Sequence, residues 1–175
     1  MPSPSKPTNW TIGLLTDAHV RDDFGCGDVE LDVYLESYAS QDVRRNVARA
    51  YVATVGSSTT VLGFYTISNF SIEARIMPID VAKKLPRYPV PAALIGRLAV
   101  DQKAQGQGLG EYLLMDSLDR LLQLSEKIGI HSIVVDAKHD NAVLFYEKYG
   151  FKRFPATPQR LFLQLATLKK LMRSR

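Results

Sequence analysis

The sequence holds one cysteine, Cys26, and three histidines among 175 residues. A single thiol excludes an internal disulfide and suits a reducing compartment, and no metal is expected. No run of about 20 uninterrupted apolar residues is present, so no membrane span is expected. The opening MPSPSKPTNW has Pro and Ser but no apolar core region, so residues 1–9 read as a disordered lead-in rather than a signal peptide, and the protein is expected in the cytoplasm. Linkers, repeats and low-complexity tracts are missing from the rest, which reads as one domain over residues 10–175. A strong charge of either sign is also missing. The net charge of +4 permits an acidic partner such as nucleic acid without requiring one. What remains, 46% apolar and 23% charged residues, is the composition of an ordinary globular chain.

Periodicity orders that chain. WTIGLL (10–15) is a short strand, and FGCGD (24–28) turns into a helical pattern in which Leu31, Tyr34, Leu35 and Tyr38 share one face. RAYVATV and TTVLGFYTISNFSIEA flank GSS (56–58) as a hairpin, and the proline-rich segment 77–91 reads as a loop with one helical turn at most. AALIGRLAV (92–100) is a strand, and Leu113, Leu114, Leu118, Leu121, Leu122 and Ile128 mark a long amphipathic helix ending at Gly129. IHSIVVDA (130–137) is a buried strand. The next helix is capped by Asp140 and stopped by Gly150, and RLFLQLATL (160–168) is a last strand. This alternation implies an α/β fold around a mixed sheet.

The stretch LAVDQKAQGQGLGEYLLMDSL (98–118) runs from strand to helix through three glycines, Gly106, Gly108 and Gly110. A glycine-rich turn at a helix start lets unpaired N–H groups and the positive end of the helix dipole meet an anion such as phosphate. The bland alternative is a tight turn with packing glycines, which three of them within five residues disfavour. A nucleoside-triphosphate loop needs Lys and then Ser/Thr after its last glycine, but Glu111 and Tyr112 follow. A dinucleotide fingerprint needs glycines at spacing 1, 3 and 6, but here the spacing is 1, 3 and 5.

Gln105-x-x-Gly108-x-Gly110 resembles instead the pyrophosphate loop of the GNAT acetyltransferases, and NAVLFYEKYGF (141–151) resembles that family's second signature. The resemblance implies a mixed sheet flanked by helices, with splayed central parallel strands, and acetyl-CoA as co-substrate. It also implies that Leu98 and Val100 offer main-chain groups to the pantetheine arm as an added strand would. Gln105, Gly106, Gln107, Gly108, Leu109 and Gly110 would take the pyrophosphate. Many relatives carry an Asn seven residues before the tyrosine where this chain has His139, which leaves Asn141 as the nearby candidate for the pantetheine contact.

Acetyl transfer to an amine needs a proton for the departing thiolate, and a phenol titrating near ~10 lies close enough to a thiol near ~8.5 to supply it. By family position Tyr146 is that acid, with Tyr149 as its understudy; without the family, Tyr146 would read as core packing. No general base is evident, which suits an α-amine titrating near ~7.7 better than a lysine near ~10.4. FGCGDVELDVYLESYASQD (24–42), VLGFYTIS (61–68) and GRLAVDQKAQGQGLG (96–110) together resemble the GNAT toxins of bacterial toxin–antitoxin modules. That resemblance implies an aminoacyl-tRNA substrate, blocked translation and a ribbon-helix-helix antitoxin, with a homodimer left open. Arg97, a charge inside an apolar strand, together with Arg44, Arg45, Lys83 and Lys84 would bind the substrate, as would a basic tail of Lys169, Lys170, Arg173 and Arg175. Competing readings are an acetyltransferase for a small amine or a protein N-terminus, and a module that binds coenzyme A without chemistry; an intact Tyr146 argues against the second.

Overall fold

The computed structural model describes residues 9–175, so the expected lead-in, Asn9 apart, lies outside the described residues. Seven strands form one sheet in the order β1-β2-β3-β4-β5-β7-β6. They are β1 Trp10–Leu14, β2 Arg49–Val55, β3 Gly63–Ile72, β4 Val90–Val100, β5 Ser132–Asp136, β6 Lys152–Arg153 and β7 Arg160–Gln164. The sheet is mixed: β4 and β5 run parallel, whereas β1/β2, β2/β3, β5/β7 and β6/β7 are antiparallel. The chain folds as two compact units, one of residues up to 67 with 97–117 and the other of 68–96 with 118–175. Among the described residues no helix is long and apolar enough to cross a membrane.

In the first unit Asp28 caps α1 (Val29–Val33), its carboxylate accepting from the Glu30 and Leu31 amides. A π-helical turn, Tyr34–Tyr38, follows and leads into α2 (Ala39–Arg44). The expected four-residue face is therefore only partly kept. Leu31, Tyr34 and Leu35 are buried beside Phe64, but the wider turn rotates Tyr38 outward until it is 53% exposed. β3 begins at Gly63, later than the apolar run in the sequence. A Cβ at Gly63 would lie 2.8 Å from Leu113 Cδ1 and 3.2 Å from the Ala99 carbonyl, so helix and strand meet where a side chain is missing.

In the second unit β5 is buried on both faces between β4 and β7, as an uninterrupted apolar run predicts. The parallel register runs from Ala92↔Ser132 to Ile95↔Val135, and β4 continues for five residues beyond its last β5 partner, to Val100. α4 (Leu109–Leu124) ends before Gly129 in turns that leave Ile128 exposed, so Ile128 is not on the buried stripe. The segment 160–168 is a strand only to Gln164, where α6 (Leu165–Arg173) begins. Leu161, Phe162 and Leu163 are buried consecutively, and burial then follows the helical spacing of Leu165, Leu168 and Met172. The helical turn in the proline-rich loop is α3 (Ile79–Ala82).

Candidate active site

The glycine loop is built from one buried carboxylate outward. Asp101, 4% exposed at the end of β4, accepts the Lys103 amide at 2.8 Å and so caps the turn Gln102–Ala104. Its other oxygen accepts the Gly25 amide at 3.1 Å, and the Gln102 amide donates back to the Gly25 carbonyl at 2.8 Å. Gln105 continues this tie, its side-chain amide donating to the carbonyls of Cys26 at 3.0 Å and Val100 at 2.9 Å. The Gln105 side chain is thus committed to protein backbone and leaves only its main chain for an anion. Val100 likewise has one carbonyl contact taken. The tie to Cys26 was not legible locally, because that acceptor lies 79 residues away.

Beyond Gln105 the backbone turns left-handed, with φ of 76° at Gly106 and 89° at Gly108. A Cβ at either glycine would meet nothing within 4 Å, so the conformation demands glycine while the space over the loop stays open. The Tyr112 amide makes the first bond of α4, to the Gly108 carbonyl at 3.0 Å. The preceding amides of Leu109 and Gly110 lie in the first turn, where the positive end of the helix dipole is carried. Leu109 is 1% exposed and can serve only through its main chain, whereas Gly106, Gln107 and Gly108 are exposed. A helix start of this kind is suited to an anion such as a pyrophosphate.

α5 (Asp140–Lys148) carries Tyr146. Its cap is His139 and not the expected Asp140, which is the first helical residue: the imidazole Nδ1 accepts the Ala142 amide at 3.3 Å. Asn141 is exposed in the first turn. Tyr146 is 4% exposed, its ring packed edge-on to Phe145 at 5.2 Å and Phe151 at 5.6 Å. Its hydroxyl makes no hydrogen bond among the described residues, and no fully buried side-chain oxygen there lacks one, so the hydroxyl itself reaches an accessible surface. Burial of the ring pushes the phenol pKa up, and the nearby Asp136 charge adds to the rise. Asp136 closes β5 and is held by Arg160 through contacts of 2.7 and 3.3 Å. Sequence reasoning passed over this carboxylate, whose one signal was an acid ending an apolar run. Tyr149 caps the far end of α5, half-buried under Lys148 and beside Phe145.

The basic residues separate. Arg44 and Arg45 are exposed at the end of α2 in the first unit, and Lys83 and Lys84 are exposed after α3 in the second. Arg97 is half-buried in β4 with its guanidinium 3.5 Å from the centroid of the Tyr34 ring. The histidines have local duties: His19 accepts the Thr16 amide at 2.9 Å, and His131 lies 2.9 Å from the Ser132 hydroxyl with its pKa lowered by burial. Among the described residues no group of three or more His, Cys, Asp or Glu could hold a metal ion.

Residues 46–153 match the model of the acetyltransferase (GNAT) domain. A tRNA-acetylating toxin of Mycobacterium tuberculosis (strain ATCC 25618 / H37Rv) is 35% identical over 158 residues, which is 90% of this chain and 93% of the relative. A probable toxin TacT of Sinorhizobium fredii (strain NBRC 101917 / NGR234) is 34% identical over 162 residues, 88% of this chain and 90% of the relative. The structure of AtaT complexed with acetyl-methionyl-tRNAfMet is similar with a TM-score of 0.86 and 29% identity, covering 93% of this chain and 99% of that one. A tyrosine-to-phenylalanine mutant of the AtaT toxin, bound to the C-terminus of the antitoxin AtaR and acetyl-CoA, gives a TM-score of 0.81 and 27% identity over 94% and 98% of the two chains.

Proposed function

The chain belongs to the GNAT acetyltransferases, and from that premise we propose that it is a cytoplasmic toxin that transfers the acetyl group of acetyl-CoA to the α-amine of an aminoacyl-tRNA. The observation that carries this reading is the left-handed Gly106/Gly108 turn, which leads into the start of α4 and leaves open space at both glycines. Main-chain groups of Gln105 to Gly110 hold the pyrophosphate, those of Leu98 and Val100 hold the pantetheine arm, and Asn141 is a further candidate contact. The substrate amine attacks the thioester carbonyl, the C–S bond breaks, and Tyr146 gives its proton to the departing sulfur. The proton lost by the attacking nitrogen restores the phenol, so the products are the acetylated amine and the free thiol.

The similarity to a tRNA-acetylating toxin, and to AtaT solved with an acetylated initiator tRNA, supports the choice of substrate. Arg97, Arg44, Arg45, Lys83 and Lys84 would meet its phosphates. The AtaT complex with its antitoxin supports a cognate antitoxin for this chain, which we take to be of the ribbon-helix-helix class. Residues 10–175 then act as one catalytic domain, supported by a family match that includes parts of both compact units.

Incubation with labelled acetyl-CoA and total charged tRNA tests the reading. The label should appear on the α-amine of the tRNA-bound amino acid, and the rate should fall steeply between about 50 and 200 mM salt as counterion release requires. Expression in bacteria should arrest growth, with rescue by Tyr146→Phe. Absence of tRNA labelling at low salt, together with harmless overproduction, would return the protein to the acetyltransferases of small amines or protein termini.

A further inference from the structure

Arg97 stands apart from the other half-buried cations. Arg21 donates to the Leu35 carbonyl at 3.1 Å and the Ser40 hydroxyl at 2.8 Å, and Arg160 grips Asp136. Among the described residues Arg97 makes no hydrogen bond and no ion pair within 4.0 Å. Its one direct partner is the Tyr34 ring beneath it. A charge withdrawn from water in this way is costly unless something else compensates it.

The platform is rigid. Tyr34 is 6% exposed, stacks on Phe64 at a centroid distance of 6.3 Å and an interplanar angle of 18°, and donates its hydroxyl to Asp42 at 2.9 Å. That bond and the stack on Phe64 hold the ring in place. Tyr34 also opens the π-helical turn, a deviation that is costly in hydrogen-bond geometry and recurs at functional sites. A guanidinium whose carbon sits 3.5 Å from a ring centroid meets the ring through its face, and that contact uses none of its N–H groups in a hydrogen bond. Those groups form a fork that fits two oxygens of a phosphate or carboxylate.

We propose that Arg97 is the receptor for a backbone phosphate of the nucleic-acid substrate, with Tyr34 as its positioning residue. This rests on the reading of aminoacyl-tRNA as the substrate. A phosphodiester offers the fork two non-bridging oxygens and one negative charge, and a tRNA presents such groups along its whole backbone.

The test is steady-state acetylation of charged tRNA by Arg97→Ala, Arg97→Lys, Tyr34→Phe and Tyr34→Leu across 50–200 mM salt, with acetyl-CoA affinity measured beside it by calorimetry. Arg97→Ala should raise KM for charged tRNA roughly tenfold or more and lower the salt slope by about one, while acetyl-CoA affinity is kept. Arg97→Lys should restore the slope, because the charge returns, but not KM, because the fork is gone. Tyr34→Phe keeps the ring but loses its tether to Asp42 and should raise KM less than Arg97→Ala, whereas Tyr34→Leu should raise KM as Arg97→Ala does. Wild-type KM and salt slope in Arg97→Ala overturn the proposal, and so does a loss confined to acetyl-CoA affinity. If Arg97→Ala does not fold, an unchanged KM in Arg97→Lys overturns it equally. Weakened antitoxin binding with unaltered tRNA kinetics would reassign the fork to a protein carboxylate. The two readings fail separately: a wild-type protein inactive on charged tRNA defeats the substrate reading, while an active wild type matched by Arg97→Ala defeats this one alone.

Discussion

The Gln105 side chain donates to the Cys26 carbonyl at 3.0 Å and so ties the glycine loop to the turn that precedes α1. The second bond of the same amide, to Val100 at 2.9 Å, closes the loop on the strand that enters it. Replacing Gln105 by Ala removes both donors and leaves two carbonyls to water. Net contributions of about 1 kcal/mol per hydrogen bond, about 2 kcal/mol for the pair, predict a loss of up to roughly thirtyfold in acetyl-CoA affinity. Calorimetry should show it, and hydrogen exchange at the Gly106–Gly110 amides should quicken.

Gly108→Glu should abolish acetyl-CoA binding while the fold survives. The φ of 89° strains any L-residue by about 1–2 kcal/mol, but a Cβ there meets nothing, so no clash unfolds the protein. The new carboxylate would occupy the anion's place. Retained affinity with an unchanged melting temperature would remove the loop from the site.

Tyr146→Phe should lower turnover by roughly 10² or more, with acetyl-CoA affinity within a few-fold and stability almost unaltered. The hydroxyl makes no hydrogen bond among the described residues, and the ring contacts with Phe145 and Phe151 are kept. Because burial raises the phenol above its ordinary range, the acid stays protonated and kcat should show no alkaline decline from Tyr146 up to about pH 10. A near-normal turnover in the variant would move the acid to Tyr149.

Alkali should destabilise the fold through two groups of the first unit. Burial, followed by a hydrogen bond with Asp32, lifts the Cys26 thiol from 9.0 to about 11. Burial and the bond to Asp42 lift the Tyr34 phenol from 10.0 to about 12. In both cases the unfolded chain releases its proton first, so the contribution is complete below the unfolded value and is lost as pH rises through the folded one. Urea midpoints should therefore fall between about pH 9 and 12, and Tyr34→Phe should flatten the upper part of that fall. Midpoints that stay level through pH 12 would contradict the assignment.

Where neighbours along the chain decide the conformation, the sequence was sufficient. The strand-to-helix turn at Gly106 and Gly108, the apolar face of α4, the buried run of β5 and the stop at Gly150, with its φ of 94°, all depend on the sign of one dihedral or a short period. The GNAT motifs lie within those stretches, so the family and the place of Tyr146 were legible with them. Local rules misled where two patterns share the same letters. Leu161 to Leu168 alternates plausibly as a strand, yet the chain changes from β7 to α6 at Leu165. At the start of α5, His139 rather than Asp140 supplies the cap, because its imidazole takes the Ala142 amide.

Composition and periodicity therefore determined the fold class and the glycine turn that opens α4, and the family resemblance singled out Tyr146 as the candidate acid. Tertiary structure alone decided what surrounds them. The tie from Gln105 to Cys26, the clamp of Asp101 on Gly25, the charge of Asp136 near Tyr146 and the Tyr34 ring under Arg97 each join residues that are far apart along the chain. A hydrogen bond or a stacked ring acts over a few ångströms of space, and which distant residues come that close is settled only once the sheet and its helices have packed.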